Sequence, residues 1–190
     1  MKECPYELFI VDALNLKELQ SKEVGYVKEK GSERIVAKIV LFDEYLKKRN
    51  NRTIFVELIK GICYIFTNAV FFKKIQERSK KELFLLYHEL GHIYFKHLRN
   101  GDNYEKEREY RIDQIIKGKA SDKELQADAF AADIIGISIA IEALKKLQTQ
   151  RLERDYQQGV YKKTMSILAQ REFAYRIAEL QKKLNEKAKS

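Results

Sequence analysis

Apolar positions along this chain follow one pattern in its first third and another beyond it. Residues 53–59 and 62–66 are rich in β-branched and aromatic side chains and flank Lys60-Gly61. Two such runs around a two-residue turn containing glycine predict an antiparallel hairpin. Ile35, Ile39, Phe42 and Leu46, with Val36 and Val40 alongside, recur at helical spacing and favour a helix over 33–48, a strand through 35–42 being the alternative. Nearer the start, 8–19 can form a short helix and 24–27 is strand-like or irregular.

From residue 79 to 98 the pattern changes. Ser79 and Glu82 have capping-box spacing, and Leu83 to Leu86, Leu90, Ile93, Tyr94 and Phe95 leave almost no polar stripe. That is a helix buried on most sides. A second buried helix starts at Ser121 and runs to about 147, with the small-residue stretch A-D-A-F-A-A near its beginning. Between the two, 99–120 has few core residues and reads as a loop or short surface helix able to roof a site. Beyond 148 the chain predicts one or two helices with a break near Gly159. Phe173, Ile177, Leu180 and Leu184 recur at 4-3-4 spacing, a short seam that packs on the body of the protein. The expected architecture is an α+β domain over 1–147, with a small antiparallel sheet beside the two buried helices, and a helical C-terminal extension over 148–190.

Length and composition add limits. A chain of 190 residues with 45% hydrophobic and 34% charged residues belongs to the globular class and is long enough for one sizeable core. Of the net charge of +9, residues 145–190 contribute +7 from 12 Lys/Arg and 5 Asp/Glu. A basic tail can attract nucleic acid, but a solvated lysine-rich face is the commoner explanation, so nucleic acid is not the favoured partner. Glu7 and Asp12 interrupt the start before a secretory apolar stretch forms, and the longest apolar run, 62–72, is too short for a bilayer. A cytoplasmic protein without a membrane partner is expected. Cys4 and Cys63 lack paired spacing and read as reduced thiols.

Against the apolar background of the first buried helix, His88, Glu89 and His92 stand out. Two histidines four residues apart lie one above the other on a helix and can reach a single zinc ion, while Glu89 can approach a water held there. Zinc brings the pKa of such a water towards ~7, which suits hydrolysis of a peptide bond with Glu89 as general base. Gly91 marks close approach of another element. A third ligand is needed, and Glu124 and Asp128 share one face at the start of the second buried helix. Glu124 can bind the metal while Asp128 accepts the spare N–H of a liganding histidine. Ser121 and Glu124 also have capping-box spacing, but capping leaves the alanine-rich stretch unexplained. His97, five residues after His92, is rotated off the ligand face of a continuous helix and reads as a helix-end histidine. Tyr104, Arg108, Tyr110 and Arg111 could each donate to an oxyanion, the sequence does not choose among them, and a solvated surface position is the favoured reading of each.

H-E-L-G-H at 88–92 followed by E-L-Q-A-D-A-F-A at 124–131 resembles the ImmA/IrrE-type metallopeptidases, small gluzincins whose second motif is E-x-x-A-[DN]-x-F-A. The resemblance covers roughly residues 50–140. It implies a zincin-like fold, with His88, His92 and Glu124 as zinc ligands, Glu89 as general acid and base and Asp128 behind a liganding histidine. It also implies a cytoplasmic endopeptidase acting on a protein substrate, with a DNA-binding transcriptional repressor as the expected kind. In place of the usual Met-Pro segment, Ala132-Asp133-Ile134-Ile135-Gly136 continues the helix, and no helix-turn-helix domain is evident. The alternatives are a zinc-binding regulator without peptidase activity and a nucleic-acid-associated helical protein in which H-E-x-x-H is incidental.

Overall fold

In a computed structural model of the chain, the described residues are 2–10, 23–41, 54–98, 104–156 and 160–189, without the side chains of 104–108 and 154–165. They form an α+β structure of five strands followed by six helices. The strands are β1 (Tyr6–Ile10), β2 (Glu23–Glu29), β3 (Ile35–Leu41), β4 (Ile54–Ile59) and β5 (Ile62–Thr67), in the spatial order β1-β2-β3-β5-β4. The helices are α1 (Ala69–Gln76), α2 (Lys80–Tyr94), α3 (Tyr104–Ile116), α4 (Asp122–Ile135), α5 (Ile137–Tyr156) and α6 (Val160–Lys187).

The β4–β5 hairpin forms as its pattern predicts. Lys60 and Gly61 both have positive φ, 50° and 81°, which is the two-residue turn whose twist suits flanking strands. Ile59 pairs with Ile62 and the register runs on to Ile54 opposite Thr67. Hydrogen-bonded pairs alternate along such a ladder, so Val56 opposite Ile65 turns its backbone N–H and C=O away from β5. Since β4 is the edge of the described sheet, those groups face outward, towards α2.

Three expectations need correction. The segment from 35 is strand, not helix, and Phe42 to Lys48 lie outside the described residues. An interval of four residues, as from Ile35 to Ile39, places side chains on one face of a strand as well as of a helix. The deciding signal is the alternation that buries Ala37, Ile39 and Leu41, with the half-buried Lys38 and Val40 between them on the other face. The sheet is mixed, since β3 and β5 run parallel while the other three ladders are antiparallel. Helix 8–19 is contradicted at its start, where β1 extends to Ile10, and 11–22 lie outside the described residues.

One face of the sheet packs on α1 and α2 through Val27, Ile39, Ile65, Phe72, Leu86 and Leu90. On its other side α2 sends Phe84 into a second core with Ala131 and Ala132 of α4, Ile141 and Leu144 of α5, and Ile177 and Leu180 of α6. The central helix is therefore buried between a sheet layer and a helix layer. A Cβ on Gly91 would stand 2.9 Å from the Ala127 Cα, so glycine is what lets α2 and α4 touch backbone to backbone.

The second buried helix does not run unbroken to 147. It ends at Ile135, where Gly136 adopts φ 100° and α5 departs in a new direction. The expected boundary near 148 falls inside α5, and the seam on α6 packs into the second core through Phe173, Ile177 and Leu180. No helix among the described residues is long and apolar enough to cross a membrane.

Candidate metal centre

His88 and Glu89 sit past the middle of α2 and His92 in its last turn, and Glu124 and Asp128 occupy the first turns of α4. Because α2 and α4 meet at Gly91 and Ala127, the two faces oppose each other at short range. The His88 and His92 Nε2 atoms are 3.1 Å apart. Glu124 Oε2 lies 3.4 Å from His88 Nε2, and its Oε1 lies 3.9 Å from His92 Nε2. Two ligands at zinc–nitrogen distance in a tetrahedral shell are roughly 3.3 Å apart. These three side chains, with ligand atoms within 4.8 Å of one another, can hold a metal ion.

Ser121 caps α4 through its hydroxyl, which accepts from the Glu124 N–H at 3.4 Å. The Glu124 carboxylate meanwhile points into the site, so capping and facing the histidines are compatible. At the start of α2 the Ser79 hydroxyl meets the Glu82 carboxylate and makes no cap to the backbone.

Behind each histidine stands a hydrogen-bond partner. Asp128 Oδ1 accepts from His88 Nδ1 at 2.9 Å, the position expected for it. His92 Nδ1 is 2.9 Å from His97 Nδ1, and His97 Nε2 is 2.8 Å from Gln126 Oε1. His97 reaches there because α2 ends in a Schellman turn, with Lys96 at φ 56°, Lys96 N–H bonded to Ile93 O and His97 N–H to His92 O. The turn folds the chain back over His92. A helix-end histidine facing the dipole does not describe this contact. The sequence hides the turn because lysine holds the left-handed position usually signalled by glycine.

Two arginines complete the surroundings. Arg176 of α6 donates to both Asp128 oxygens at 2.6 Å and lies 3.1 Å from Glu124 Oε2. Arg111 of α3 is gripped by buried Glu172 through bonds of 2.9 and 3.0 Å, and its Nη1 lies 3.5 Å from Glu124 Oε1. Of the four candidate oxyanion donors, Arg111 is the one seen at the site. Tyr110 is exposed, and the side chains of Tyr104 and Arg108 are outside the described part. Glu172 and Arg176 are four residues apart on α6, beside its apolar seam. In the sequence they are indistinguishable from the charges of a solvated face. The available clue was the pair of carboxylates on α4, which need a counter-charge once buried.

No family model, curated protein or solved structure matches this chain. The likeness to ImmA/IrrE-type peptidases therefore rests on its two motifs.

Electrostatics follow from this packing. Burial opposes charge on His88, but hydrogen bonds to Asp128 and Glu124 and their negative charge raise its pKa to about 9. His92 is pushed down to about 3 by burial and by repulsion from His88, so it is neutral at ordinary pH. Burial also disfavours the Glu124 and Asp128 anions, yet Arg111 and Arg176 hold Glu124 well below the usual carboxylate range and Arg176 does the same for Asp128. Glu89 Oε2 accepts from the outward N–H of Val56 at 3.1 Å, which ties the residue after the first histidine to the sheet edge. Once His88 has given up its extra proton, four carboxylates (Glu89, Glu124, Asp128, Glu172) against two guanidiniums leave a formal charge of −2, equal and opposite to that of a divalent cation.

Proposed function

We propose that this chain is a zinc-dependent endopeptidase of zincin-like build, with His88, His92 and Glu124 as metal ligands and Glu89 as general acid and base. The observation carrying this reading is the meeting of two imidazole Nε2 atoms and one carboxylate from separate helices, beside a glutamate tied to the edge strand of the described sheet. Zinc bound there would polarise a scissile carbonyl and acidify the attacking water. An extended segment of a protein substrate lies along β4, with the Val56 carbonyl as an outward acceptor, since the Val56 N–H is held by Glu89. Glu89, next to that strand, takes the proton from the water and passes it to the leaving amine. Arg111, held by Glu172, places positive charge beside the developing oxyanion. The motif resemblance extends the reading to a cytoplasmic repressor as substrate.

Among the described residues no fourth ligand joins the three, His97 standing behind His92, which favours an open coordination position over the closed shell of a purely structural zinc site. The test pairs metal analysis with cleavage of disordered casein. Wild type is expected to carry one zinc per chain and to cut. Glu89→Gln is expected to keep the zinc and lose at least ~10²-fold in rate. Cleavage surviving that substitution removes the mechanism.

A further inference from the structure

We propose that His97 and Gln126 are positioning residues, which fix the proton of His92 on Nδ1 and so present its Nε2 lone pair to the metal. The inference rests on His92 being a ligand, not on peptidase activity.

The direction of the hydrogen-bond chain decides the point. Gln126 Oε1 can only accept, so the His97 Nε2 that lies 2.8 Å from it carries the proton. A neutral imidazole has one N–H, which leaves His97 Nδ1 as an acceptor. His92 Nδ1, 2.9 Å away, must then be the donor, and its Nε2 is bare. That bare nitrogen is the one 3.1 Å from His88 Nε2 and 3.9 Å from Glu124. Asp128 does the same for His88 from the opposite side. Both ligand rings thus have Nδ1 engaged behind them and Nε2 turned towards the common centre.

His97 is built to do this. Its backbone N–H is held by His92 O and its carbonyl accepts from Lys123 Nζ at 3.2 Å, so the loop after α2 is tied to α4. Its ring stacks on Phe95 with 5.6 Å between centroids. With Nδ1 turned to His92 and Nε2 to Gln126, both of its ring nitrogens are engaged. In water an imidazole favours the opposite tautomer, with the proton on Nε2. Fixing the other form beforehand removes a cost that metal binding would otherwise carry, and comparable partners behind metal ligands are worth ten- to a hundredfold in affinity.

The experiment is ¹⁵N NMR of the imidazole rings in the full chain, metal-free and zinc-loaded, together with zinc affinity measured by competition with a chelator. Only three histidines contribute signals. The expected result for metal-free protein is His92 protonated on Nδ1 and His97 on Nε2. His97→Ala should move His92 towards the Nε2–H form and weaken zinc roughly ten- to a hundredfold, with His97→Gln restoring part of the loss. Gln126→Leu, at an exposed position, leaves the fold intact and should give a mixed His92 tautomer with a several-fold loss of affinity. His92 protonated on Nε2 in the wild type would overturn the inference. So would zinc affinity unchanged within threefold in both folded variants, His97→Ala and Gln126→Leu. Failure of the metal reading shows separately, as wild-type protein that binds no zinc while the tautomers stand as described.

Discussion

Gly91→Ala isolates the contact on which the site depends. In an ordinary helix interior this substitution stabilises by about 1 kcal/mol, because alanine is the better helix former. Here the added methyl would lie 2.9 Å from the Ala127 Cα, 3.2 Å from its carbonyl oxygen and 3.3 Å from its Cβ. The obstacle is mainly backbone, so no side-chain rotation relieves it. Ordinary contact begins at 3.4 Å, and α4 must retreat by about half an ångström. Overpacking of this kind costs about 1–3 kcal/mol, which cancels or outweighs the helix gain and leaves a net loss of about 0–2 kcal/mol. At about 2–4 °C per kcal/mol for a chain of this size, Tm should fall by up to about 8 °C. The same displacement opens the His88–Glu124 and His92–Glu124 distances of 3.4 and 3.9 Å, so zinc affinity should fall even where the stability loss is small. Thermal denaturation and chelator competition on one preparation read both effects. A higher Tm with unaltered zinc affinity would refute the reasoning, since it would mean the two helices are not in backbone contact at Gly91.

Four further outcomes follow from the site's charges. Arg176→Met strips the fork from fully buried Asp128 and should destabilise by about 3–5 kcal/mol in denaturant titration; the double variant with Asp128→Asn should recover part of that, and a loss below about 1 kcal/mol would contradict the pairing. His88, raised to about 9 in the metal-free protein, lends stability that is complete below its ordinary value of 6.5 and is lost as pH rises through 9. Zinc must displace that one proton, while His92 at about 3 has none to lose, so affinity should rise about tenfold per pH unit up to 9 and then level off in calorimetry at several pH values. Arg111→Ala should lower turnover by roughly 10²-fold while zinc affinity stays within a few-fold, and turnover unchanged in folded, zinc-loaded protein would remove Arg111 from the chemistry.

Much of the candidate centre was legible because its spacing is short-range. His88 and His92, like Glu124 and Asp128, are four residues apart, just over one helical turn, so each set is fixed by helix periodicity alone. Gly91 and the alanines of α4 announced that two helices meet, and the structure brings Gly91 against Ala127. What escaped was of two sorts. The strand at 35–41 was hidden by an apolar spacing common to both secondary structures, and the parallel β3–β5 ladder is a long-range pairing that no local pattern encodes. The partners of the site were hidden by distance along the chain: Glu172 and Arg176 face it only because α6 packs on α5, and His97 only because Lys96 takes up a conformation for which lysine gives no warning.

Arg176 also imposes an order of events. The side chains at 88, 92, 124 and 128 are all synthesised well before the guanidinium that neutralises two of the carboxylates among them. Until residue 176 has left the ribosome, α4 holds acidic groups that water must solvate, and the helix layer cannot close over them without leaving anions bare. Completion of the centre is thereby tied to late translation: the nascent polypeptide carries every candidate ligand, and Arg111 beside Glu124, yet lacks the guanidinium that lets Asp128 be enclosed.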